Sequence, residues 1–276
     1  MCEFCDKHGE GKKWYLQAKN YSQDLYSDLA KHQVFDFKVF SRDTEKLTKL
    51  KKAPALVRAV MTPCVTERLK RMHYGQVLPI EDVEQIFGLV NRVVRLACIC
   101  RKKRDVREQR FCYGVSIVPT GEEAQKVINK PGSGFADGPD TRQLETVSKE
   151  QALESFRLYE KEGLCHTVWT KLTPFIAGIC NCDRADCGAL QDQVVKGTQV
   201  MFRAEYVAEV NPELCNGCRQ CMRACQFGAI AYSAGNKKAF IDQNHCYGCG
   251  VCRASCVKEA IHLEDRASVP AVANLW

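Results

Sequence analysis

The sequence predicts an α+β fold, in which a small cysteine-rich α+β domain precedes a second domain built on a repeated cysteine motif. Three observations carry this prediction. Helical and strand-like hydrophobic periods alternate between about 56 and 200. The last quarter of the chain contains two copies of one cysteine motif. The chain has 276 residues, which is enough for two domains with their own cores.

The first two parts of the chain differ in pattern. Residues 1–55 are predicted to form a polar N-terminal lead-in, and residues 56–200 the α+β domain. Within that domain, Thr62 and Pro63 predict the N-cap and first position of a helix that ends at Gly75. Pro79 opens another helix, whose apolar face carries Ile80, Val83, Ile86, Phe87, Val90 and Val94.

The rest of the α+β domain is predicted to be strands around one capped helix. Ser148 and Gln151 form a capping box for a helix that ends at Glu162, before Gly163. The predicted strands are 93–100, 112–118, 164–170 and 174–180. The Gly/Pro-rich stretch 130–139 lacks the glycine spacing of a dinucleotide site and no strand leads into it, so a surface loop is favoured.

The repeated motif defines the third part, residues 201–276. Its two copies are Cys215-x2-Cys218-x2-Cys221-x3-Cys225 and Cys246-x2-Cys249-x2-Cys252-x3-Cys256. Gly217 in the first copy corresponds to Gly248 in the second. A strand over 202–210 precedes the first copy, and a hairpin over 229–242 connects the two. Four closely spaced thiolates suit an iron–sulfur cube, so eight suit two of them.

Residues from about 202 to 263 resemble a bacterial-type ferredoxin with two 4Fe–4S clusters. In that family the fourth cysteine of each run ligates the other cluster. The resemblance therefore implies that Cys215, Cys218, Cys221 and Cys256 hold one cluster, and that Cys246, Cys249, Cys252 and Cys225 hold the second. The family usually has proline after the fourth cysteine, where this chain has Gln226 and Val257.

Two other uses of these eight cysteines fit the spacing less well. Zinc knuckles use paired Cys-x2-Cys motifs with four ligands per metal, and the doubled motif exceeds that requirement. Disulfides are disfavoured because the N-terminus has no secretory signal. No stretch approaches about 18 uncharged apolar residues, so no transmembrane segment is predicted. We expect a cytoplasmic protein, in an anaerobe, where thiols stay reduced.

Six further cysteines predict a third metal centre in the α+β domain. They are Cys98, Cys100, Cys112, Cys180, Cys182 and Cys187. The two C-x-C pairs are interpreted as lying on neighbouring strands, where both thiols of a pair point to one face. Four of the six would bind one centre, with a cubane favoured over zinc, and the spacing does not say which four. Ordinary buried thiols are the disfavoured alternative.

Residues from about 90 to 190, with "RLACICR", "FCYG", "GLCHTVWT" and "GICNCD", resemble multi-cluster 4Fe–4S binding proteins of anaerobes, a group without a settled function. The resemblance supports the six cysteines acting together. Within this block Cys165 and His166 are adjacent. A ligand or redox pair is one interpretation of them, and a histidine satisfied within the core is the favoured one.

The N-terminus carries a separate set of ligand types, Cys2-x2-Cys5-x2-His8. Three ligands are too few for a closed metal site, so a metal here requires a fourth from elsewhere, with His32 and Cys64 as candidates. Cys64 is predicted to lie in the first turn of its helix, where the dipole favours a thiolate. A frayed terminus is the alternative.

The basic charge is a poor argument for nucleic acid as a partner, and none is predicted. The formal charge of +7 counts every cysteine as neutral, and two 4Fe–4S clusters would bring it to about +3 because each carries about −2 with its thiolates. Basic runs at 46–52 and 101–104 are interpreted as solvated surface, ahead of a docking patch for an acidic redox partner.

These patterns predict an iron–sulfur electron-transfer protein or subunit, which relays single electrons between a donor and a larger oxidoreductase. Its partners would be redox proteins, with a multi-subunit oxidoreductase as one candidate. The alternative is an iron–sulfur enzyme whose middle-domain centre binds substrate and is fed by the ferredoxin domain. A cluster-based sensor is less favoured, because the sequence has no recognisable DNA-binding motif. No nucleophile, general base or nucleotide-binding motif is evident, so we predict no catalytic residue.

Overall fold

The computed structural model describes residues 13–22, 37–72, 74–102, 110–117 and 145–275, with a few isolated positions between 24 and 31. Helices and strands are mixed along the described chain, which confirms the predicted α+β class. The helices are α1 Phe37–Leu50, α2 Ala55–Met72, α3 Ile80–Leu89, α4 Ile99–Lys102, α5 Lys149–Lys161, α6 Gly188–Leu190, α7 Gln220–Ala224 and α8 Val251–Ala254. Short 3-10 turns lie at Trp14–Leu16, Ala18–Tyr21 and Arg266–Ser268, and a π-helical turn lies at Gln191–Val195.

Three sheets contain the strands. The strands are β1 Gly75–Leu78, β2 Arg92–Leu96, β3 Cys112–Ser116, β4 Glu145–Val147, β5 Cys165–Leu172, β6 Phe175–Cys182, β7 Met201–Phe202, β8 Tyr206–Val210, β9 Ile230–Ser233, β10 Lys238–Ile241 and β11 Ile261–Asp265. The first seven form one sheet in the order β4-β2-β3-β6-β5-β1-β7, antiparallel except for the parallel pair β1 and β7. The other four form two antiparallel pairs, β9 with β10 and β8 with β11.

The large sheet separates two apolar cores. One core packs α3 and α5 against residues such as Val168, and it also contains Trp14, Tyr15 and Tyr21. The other contains Cys165 and Trp169 together with cysteines of the sheet and of the C-terminal part. Successive side chains of a strand point to opposite faces, which is why neighbouring residues of β5 belong to different cores.

A buried carboxylate joins three parts of the chain. Asp82 of α3 is fully buried and accepts a hydrogen bond from the hydroxyl of Tyr15 at 2.5 Å. It also accepts bonds from the ammonium group of Lys13 and the hydroxyl of Tyr206, both at 3.1 Å. Lys13 in turn lies 4.5 Å above the Tyr206 ring. Residues 13–21 are therefore fixed to the body of the molecule and to β8.

The helix that was predicted to begin at Thr62 and Pro63 begins earlier in the structure, so its predicted start is wrong. Helix α2 begins at Ala55, so Pro63 lies inside it, and it ends at Met72, while Gly75 opens β1. An internal proline removes one helical hydrogen bond. Residues 54–61 are exposed, so water can satisfy the carbonyl group that proline leaves unpaired. Cys64 therefore lies in the middle of an exposed helix and not in its first turn. The predicted stabilisation of its thiolate by the helix dipole does not apply at this position.

Other local predictions are confirmed. The side chain of Ser148 accepts from the backbone N–H of Gln151, and the Gln151 side chain accepts from the Ser148 N–H, which forms the capping box of α5. Gly163 follows the helix with a φ of +94°, a conformation that favours glycine. Pro79 is the N-cap of α3. The hairpin of β9 and β10 lies where it was predicted.

The predicted strand over 202–210 is two strands. Strand β7 completes the large sheet, and β8 pairs with β11 in the cysteine-rich C-terminal part. Between them, the backbone N–H of Ala204 donates to the carbonyl of Tyr247 at 3.0 Å. This link holds the C-terminal part against the edge of the large sheet. Within the described residues, no helix is long and apolar enough to cross a membrane.

Candidate metal centres

Four C-terminal cysteines form a first group. The thiol of Cys221 has Cys256, Cys218 and Cys215 as its nearest charged neighbours, and the four line one small cavity. Burial, followed by repulsion from these neighbouring sulfurs, raises the pKa of Cys221 to about 11. A cation in the cavity would reverse that balance, because it would favour all four thiolates.

The other four C-terminal cysteines form a second group that is more deeply buried. The thiol of Cys252 has Cys249, Cys246 and Cys225 around it, with Cys221 of the first group next. Burial raises the pKa of Cys252 well above its usual value, and the neighbouring sulfurs raise it further. Each group thus joins three cysteines of one motif copy to the fourth cysteine of the other copy, and the two groups are neighbours.

Backbone N–H groups point at these sulfurs. The N–H of Ala229 donates to the Cys225 sulfur at 3.3 Å, and the N–H of Ala260 donates to Cys256 at 3.4 Å, the same contact in each motif copy. The N–H groups of Ala208 and Gly248 both lie 3.4 Å from the Cys246 sulfur. Donors to sulfur stabilise the thiolate form that an iron–sulfur cluster requires. The residues therefore fit the predicted clusters.

Each motif copy depends on one glycine. Gly217 and Gly248 have φ values of +71° and +69°. A Cβ atom on Gly217 would lie 2.3 Å from the carbonyl oxygen of Lys237, and one on Gly248 would lie 2.1 Å from that of Tyr206. Glycine is therefore required at both positions for its conformation and for the close approach of a second chain segment.

Aromatic and polar contacts surround Tyr247, which lies between Cys246 and Cys249 of the second group. Phe227 and Tyr247 stack with ring centroids 4.1 Å apart, and the Arg203 guanidinium lies 4.4 Å above the Tyr247 ring. Arg203 also donates to the carbonyl of Cys246 at 2.6 Å. Gln193 donates to the Tyr247 hydroxyl at 2.6 Å. These contacts fix the loop that carries Cys246 and Cys249.

Gln226 stands where the ferredoxin pattern usually has proline, and it connects the C-terminal part to the α+β domain. Its side-chain carbonyl accepts from the backbone N–H of Arg184 at 2.7 Å. Its amide group donates to the carbonyl of Gly163 at 2.6 Å. Both ends of the side chain are therefore used in bridging. Val257, at the equivalent place in the second copy, is 80% exposed.

The six cysteines of the α+β domain form a closed ring of thiols. Each of the six lies within hydrogen-bonding reach of two others, in the order Cys98, Cys100, Cys187, Cys182, Cys180, Cys112 and back to Cys98. The sulfurs of Cys112 and Cys180 are 3.2 Å apart. We call this set the thiol ring. The structure thus brings together all six residues that the sequence singled out.

The predicted placement of one C-x-C pair is wrong. Cys180 and Cys182 lie on β6 as expected, but β2 ends at Leu96, and Cys100 lies in the short helix α4. Pairing between β2 and β3 ends with Leu96 opposite Cys112, so the chain beyond it has no strand partner and turns into a helix. Strand β3, which carries Cys112, lies between β2 and β6.

The ring thiols differ in their tendency to lose a proton. The pKa of Cys100 lies well below its usual value, because the thiols of Cys187 and Cys98 and the backbone N–H groups of Gly188 and Ala189 stabilise its thiolate. The pKa of Cys182 is lowered by Cys180 and Cys187 in the same way. The pKa of Cys98 is raised, since its thiol donates to Cys100. The ring therefore shares protons, and it fits a cation that would replace them.

A buried arginine fastens the segments beside the ring. Arg101 is 5% exposed; its guanidinium donates to Asp186 at 2.8 Å and to Asp183, and it lies 4.0 Å from the centre of the Phe111 ring. These contacts tie α4 to the segment between β6 and α6. Sequence reasoning missed the two aspartates, although both lie among the cysteines of "CNCDRADC", where carboxylates are an available signal.

The basic runs are only partly described. Arg101, in the run at 101–104, is buried and paired, so for this residue the interpretation as solvated surface is wrong, and it is not part of a docking patch either. In the run at 46–52, Lys46 pairs with Asp43 and Lys49 pairs with Glu45 on the surface of α1, as expected of a solvated face. Residues 103–109 and the loop at 130–139 lie outside the described residues.

Cys165 and His166 do not form one site. They are successive residues of β5, so their side chains lie on opposite faces of the sheet. Cys165 is fully buried, with Cys249 and Cys182 among its charged neighbours. His166 packs against Phe156 on the helical face, and its Nδ1 atom lies 2.7 Å from the Asn181 side-chain oxygen. Burial lowers the pKa of His166 to about 4. The interpretation of His166 as a core residue is confirmed, but it is only half satisfied there, because its Nε2 atom is buried without a hydrogen-bond partner among the described residues.

The N-terminal set of Cys2, Cys5 and His8 lies outside the described residues, as does His32, one of the two candidate fourth ligands. Cys64, the other candidate, is exposed on α2, and its thiol lies 3.6 Å from the carbonyl oxygen of Val60. The prediction of a metal at the N-terminus therefore stays a prediction.

Comparisons with known proteins agree with this geometry. A family model described as a 4Fe-4S dicluster domain matches residues 208–257. The chain is 35% identical over 57 residues to the archaeal-type glutamate synthase (NADPH) of Thermotoga maritima, which is 21% of this chain and 11% of that protein. It is 42% identical over 50 residues to indolepyruvate oxidoreductase subunit IorA of Pyrococcus horikoshii, 18% of this chain and 8% of that one.

The chain thus spans about a tenth of the length of these curated relatives. The family match confirms the predicted resemblance of the segment from about 202 to 263 to a two-cluster ferredoxin. The chain contains a 4Fe–4S dicluster domain. Together with the similarity to two oxidoreductases, this domain supports iron–sulfur electron transfer as the class of function.

Proposed function

We propose that this chain is an electron-transfer protein or subunit that relays single electrons between a donor and a larger oxidoreductase. The observation that carries the proposal is the division of the eight C-terminal cysteines into two neighbouring groups of four, each completed by the other motif copy. Bound by these groups, 4Fe–4S clusters supply reversible one-electron transfer at low potential. The residues hold the sulfurs close together and exclude water from the second group.

The proposed ligand sets follow the two groups. Cys215, Cys218, Cys221 and Cys256 hold one cluster, and Cys246, Cys249, Cys252 and Cys225 hold the other. A third centre at the thiol ring is part of the proposal. Cys165 supports the placement of that centre in the same route, because it is buried between Cys182 of the ring and Cys249 of the second group. The proposed parts are a lead-in over 1–55, an α+β domain over 56–200 and a ferredoxin domain over 201–276.

The crossed ligand sets can be tested with four single variants of the full chain. Cys218→Ser and Cys249→Ser define the EPR change caused by damage to the first and the second cluster, respectively. Cys256→Ser should reproduce the change seen in Cys218→Ser, and Cys225→Ser that of Cys249→Ser. The opposite correspondence would show that each motif copy ligates its own cluster.

The relay function is tested by reduction and transfer. The anaerobically purified protein, once reduced, should pass electrons to an acceptor protein, and its EPR spectra should not change when small metabolites are added. Four of the six ring thiols are buried, and Cys100 and Cys180 are half-buried. The ring is therefore expected to offer no open substrate position. A cluster signal that shifts on addition of a small substrate would favour the enzyme alternative, with the thiol ring as its site.

A further inference from the structure

The first two turns of helix α2 carry a concentration of exposed apolar side chains. All residues from 55 to 61 are exposed, and the large apolar ones are Leu56 at 80%, Val57 at 44%, Val60 at 62% and Met61 at 46%. The remaining exposed large apolar side chains of the described residues occur one at a time along the chain. Single exposed apolar residues are ordinary on a protein surface, whereas a group of them marks an interaction site.

These side chains lie on one side of the helix. Because successive residues of an α-helix are rotated by about 100°, Leu56, Val60 and Cys64 lie above one another, with Val57 and Met61 beside them. The thiol of Cys64 is 3.6 Å from the carbonyl oxygen of Val60, and this cysteine is itself exposed. We call these five residues the apolar stripe.

The apolar stripe differs from the rest of the same helix face. In the following turns this side of α2 carries Glu67 and Arg71, which form an ion pair at 3.2 Å. The opposite side of those turns is buried at Thr66 and Leu69, and α2 packs against α1 and β5. A surface helix normally presents polar groups to water. Packing within the described part of the chain therefore does not account for the apolar stripe.

Basic groups accompany the apolar stripe. Lys51 and Lys52 precede the helix, Arg58 lies in its first two turns, and all three residues are exposed. The first turn of α2 contains no acidic residue, so the partial positive charge of the helix N-terminus adds to these charges. The acidic residues of the preceding helix, Asp43 and Glu45, are already paired with basic residues of α1 and α2. This end of α2 is therefore both apolar and positively charged.

We infer that the apolar stripe, together with Lys51, Lys52 and Arg58, binds an acidic amphipathic helix of a partner protein. Apolar side chains of the partner pack on the stripe, as in other complexes in which a helix is recognised through its apolar face. Carboxylates of the partner face the three basic residues, which steer its approach and set its orientation. This surface attaches the chain to a partner, and it requires neither a cluster nor electron transfer.

Two other occupants fit these observations less well. A second copy of this chain would bring the basic residues of both copies together across a symmetric contact, which the repulsion of like charges opposes. A helix that lies in a lipid surface buries one apolar face, whereas the face that carries the stripe becomes charged at Glu67 and Arg71. The charge and the short length of the stripe therefore favour a protein partner.

The first test uses a defined probe on the full-length protein, purified anaerobically. The probe is a synthetic helical peptide with leucines on one face and glutamates on the other; a second peptide has lysines in place of the glutamates. Iodoacetamide should alkylate Cys64 rapidly in the free protein, as followed by mass spectrometry of the fragment that contains it. The glutamate peptide, at about ten times its Kd, should slow this reaction about tenfold, because only the free protein reacts. The lysine peptide should not slow it, and added salt should weaken the protection.

The second test compares variants inside and outside the stripe. Leu56→Ser and Val60→Ser should each weaken binding of the glutamate peptide about tenfold, as truncation of an anchor residue does, and Arg58→Glu should weaken it as well. The matched controls on α5 are Leu158→Ser, an apolar residue that is 54% exposed, and Lys161→Glu, which is also exposed. Both controls should bind the peptide as the unmodified chain does. All five variants should keep their thermal midpoints, because none removes a buried side chain.

Each contrary result has a definite meaning. Equal protection by the two peptides, or none by either, would overturn the inference. Slow alkylation of Cys64 in the free protein, with a lowered thermal midpoint in Leu56→Ser, would show that the chain covers its own stripe. A dimer in sedimentation that Val60→Ser abolishes would assign the stripe to a second copy, and binding to anionic phospholipid vesicles without binding of the peptide would assign it to a lipid surface. None of these measurements uses the clusters, so the proposed function stands or falls separately.

Discussion

Two glycines of the C-terminal domain separate the effect of backbone conformation from that of space. Gly248 and Gly228 have φ values of +69° and +71°. A Cβ atom on Gly248 would lie 2.1 Å from a backbone oxygen, whereas one on Gly228 would meet nothing within 4 Å. The two residues therefore carry the same conformational penalty for a side chain, and only Gly248 adds a clash.

We predict that Gly248→Ala prevents stable formation of the second cluster, because the loop that carries Cys246 and Cys249 must move away from Tyr206. Gly228→Ala should cost about 1 kcal/mol of stability and retain both clusters. Iron content and the absorbance of the bound clusters measure the difference. Equal iron content in the two variants would contradict the role given to the close approach.

Glu160 is a buried carboxyl group whose ionised form destabilises the native state. It is 6% exposed, and its Oε1 atom has no hydrogen-bond partner among the described residues. Burial raises the pKa of Glu160 to about 7; Arg253 opposes the shift, and Glu81 and Glu84 add to it. The native state thus holds this proton more tightly than the unfolded chain does, so the group destabilises the fold increasingly as pH rises from about 4.5 to 7.

Glu160→Gln should therefore stabilise the protein more at pH 8 than at pH 5.5. The gain should grow by about 2 kcal/mol between these two pH values, because the variant has no carboxylate to bury. Thermal unfolding of the anaerobic protein at both pH values measures it, with the exposed Glu162→Gln as the control for acid effects on the clusters. A gain that does not depend on pH would contradict the shifted pKa.

At the scale of elements, Gln226 shows how a departure from a family pattern can have a structural use. The side chain joins the end of the first motif copy to Gly163, after α5, and to Arg184, after β6. Its loss leaves a backbone N–H and a carbonyl group without their partners. We predict that Gln226→Ala lowers the free energy of unfolding by about 2 kcal/mol.

Gln226→Pro should be no better than alanine, although it restores the residue usual in ferredoxins, since proline makes neither bond. Gln220→Ala, at an exposed position of α7, is the control and should change stability by less than about 0.5 kcal/mol. Denaturant midpoints of the three variants provide the measurement. A stabilising proline would mean that the local turn matters more than the bridge.

Local signals predicted the elements that depend on local chemistry. The capping box at Ser148 and Gln151, the N-cap at Pro79 and the cysteine spacing of the C-terminal domain each act within a few residues. The helix around Pro63 was misplaced because exposure, a property of the whole fold, decides whether an internal proline is tolerated. The turn after Leu96 was missed because it depends on where β3 stops pairing, which no local pattern encodes.

The candidate sites follow the same rule. The sequence identified all six ring cysteines, but the ring itself requires the sheet order that places β3 between β2 and β6. Arg101, Asp183 and Asp186 escaped notice because their partnership connects residues more than 80 positions apart. That Cys165 and His166 lie on opposite faces of the sheet could have been predicted from strand alternation alone.

At the scale of the whole molecule, Asp82 connects the N-terminal segment, helix α3 and strand β8. We predict that Asp82→Ala lowers the free energy of unfolding by about 3 kcal/mol, because it leaves the Tyr15 hydroxyl and the Lys13 ammonium group without their buried acceptor. Limited proteolysis should then cleave the segment around residues 13–21 faster. The control is Glu84→Ala, on the same helix as Asp82, which breaks an exposed ion pair with Arg157 of α5. It should lower the free energy of unfolding by less than about 1 kcal/mol and leave the cleavage rate unchanged.

The exposure of Cys218 indicates where electrons enter or leave the molecule. Among the described cysteines of the two C-terminal groups and the thiol ring, only Cys218 is exposed. Tunnelling slows steeply with distance, so on the proposed function a partner protein exchanges electrons fastest when it docks here, beside the exposed Arg219 and Lys258 that would attract an acidic surface. Dioxygen can also reach the cluster at Cys218 most easily. In air, bleaching should begin with the cluster at Cys218, and the thiol ring should be the last to lose its iron.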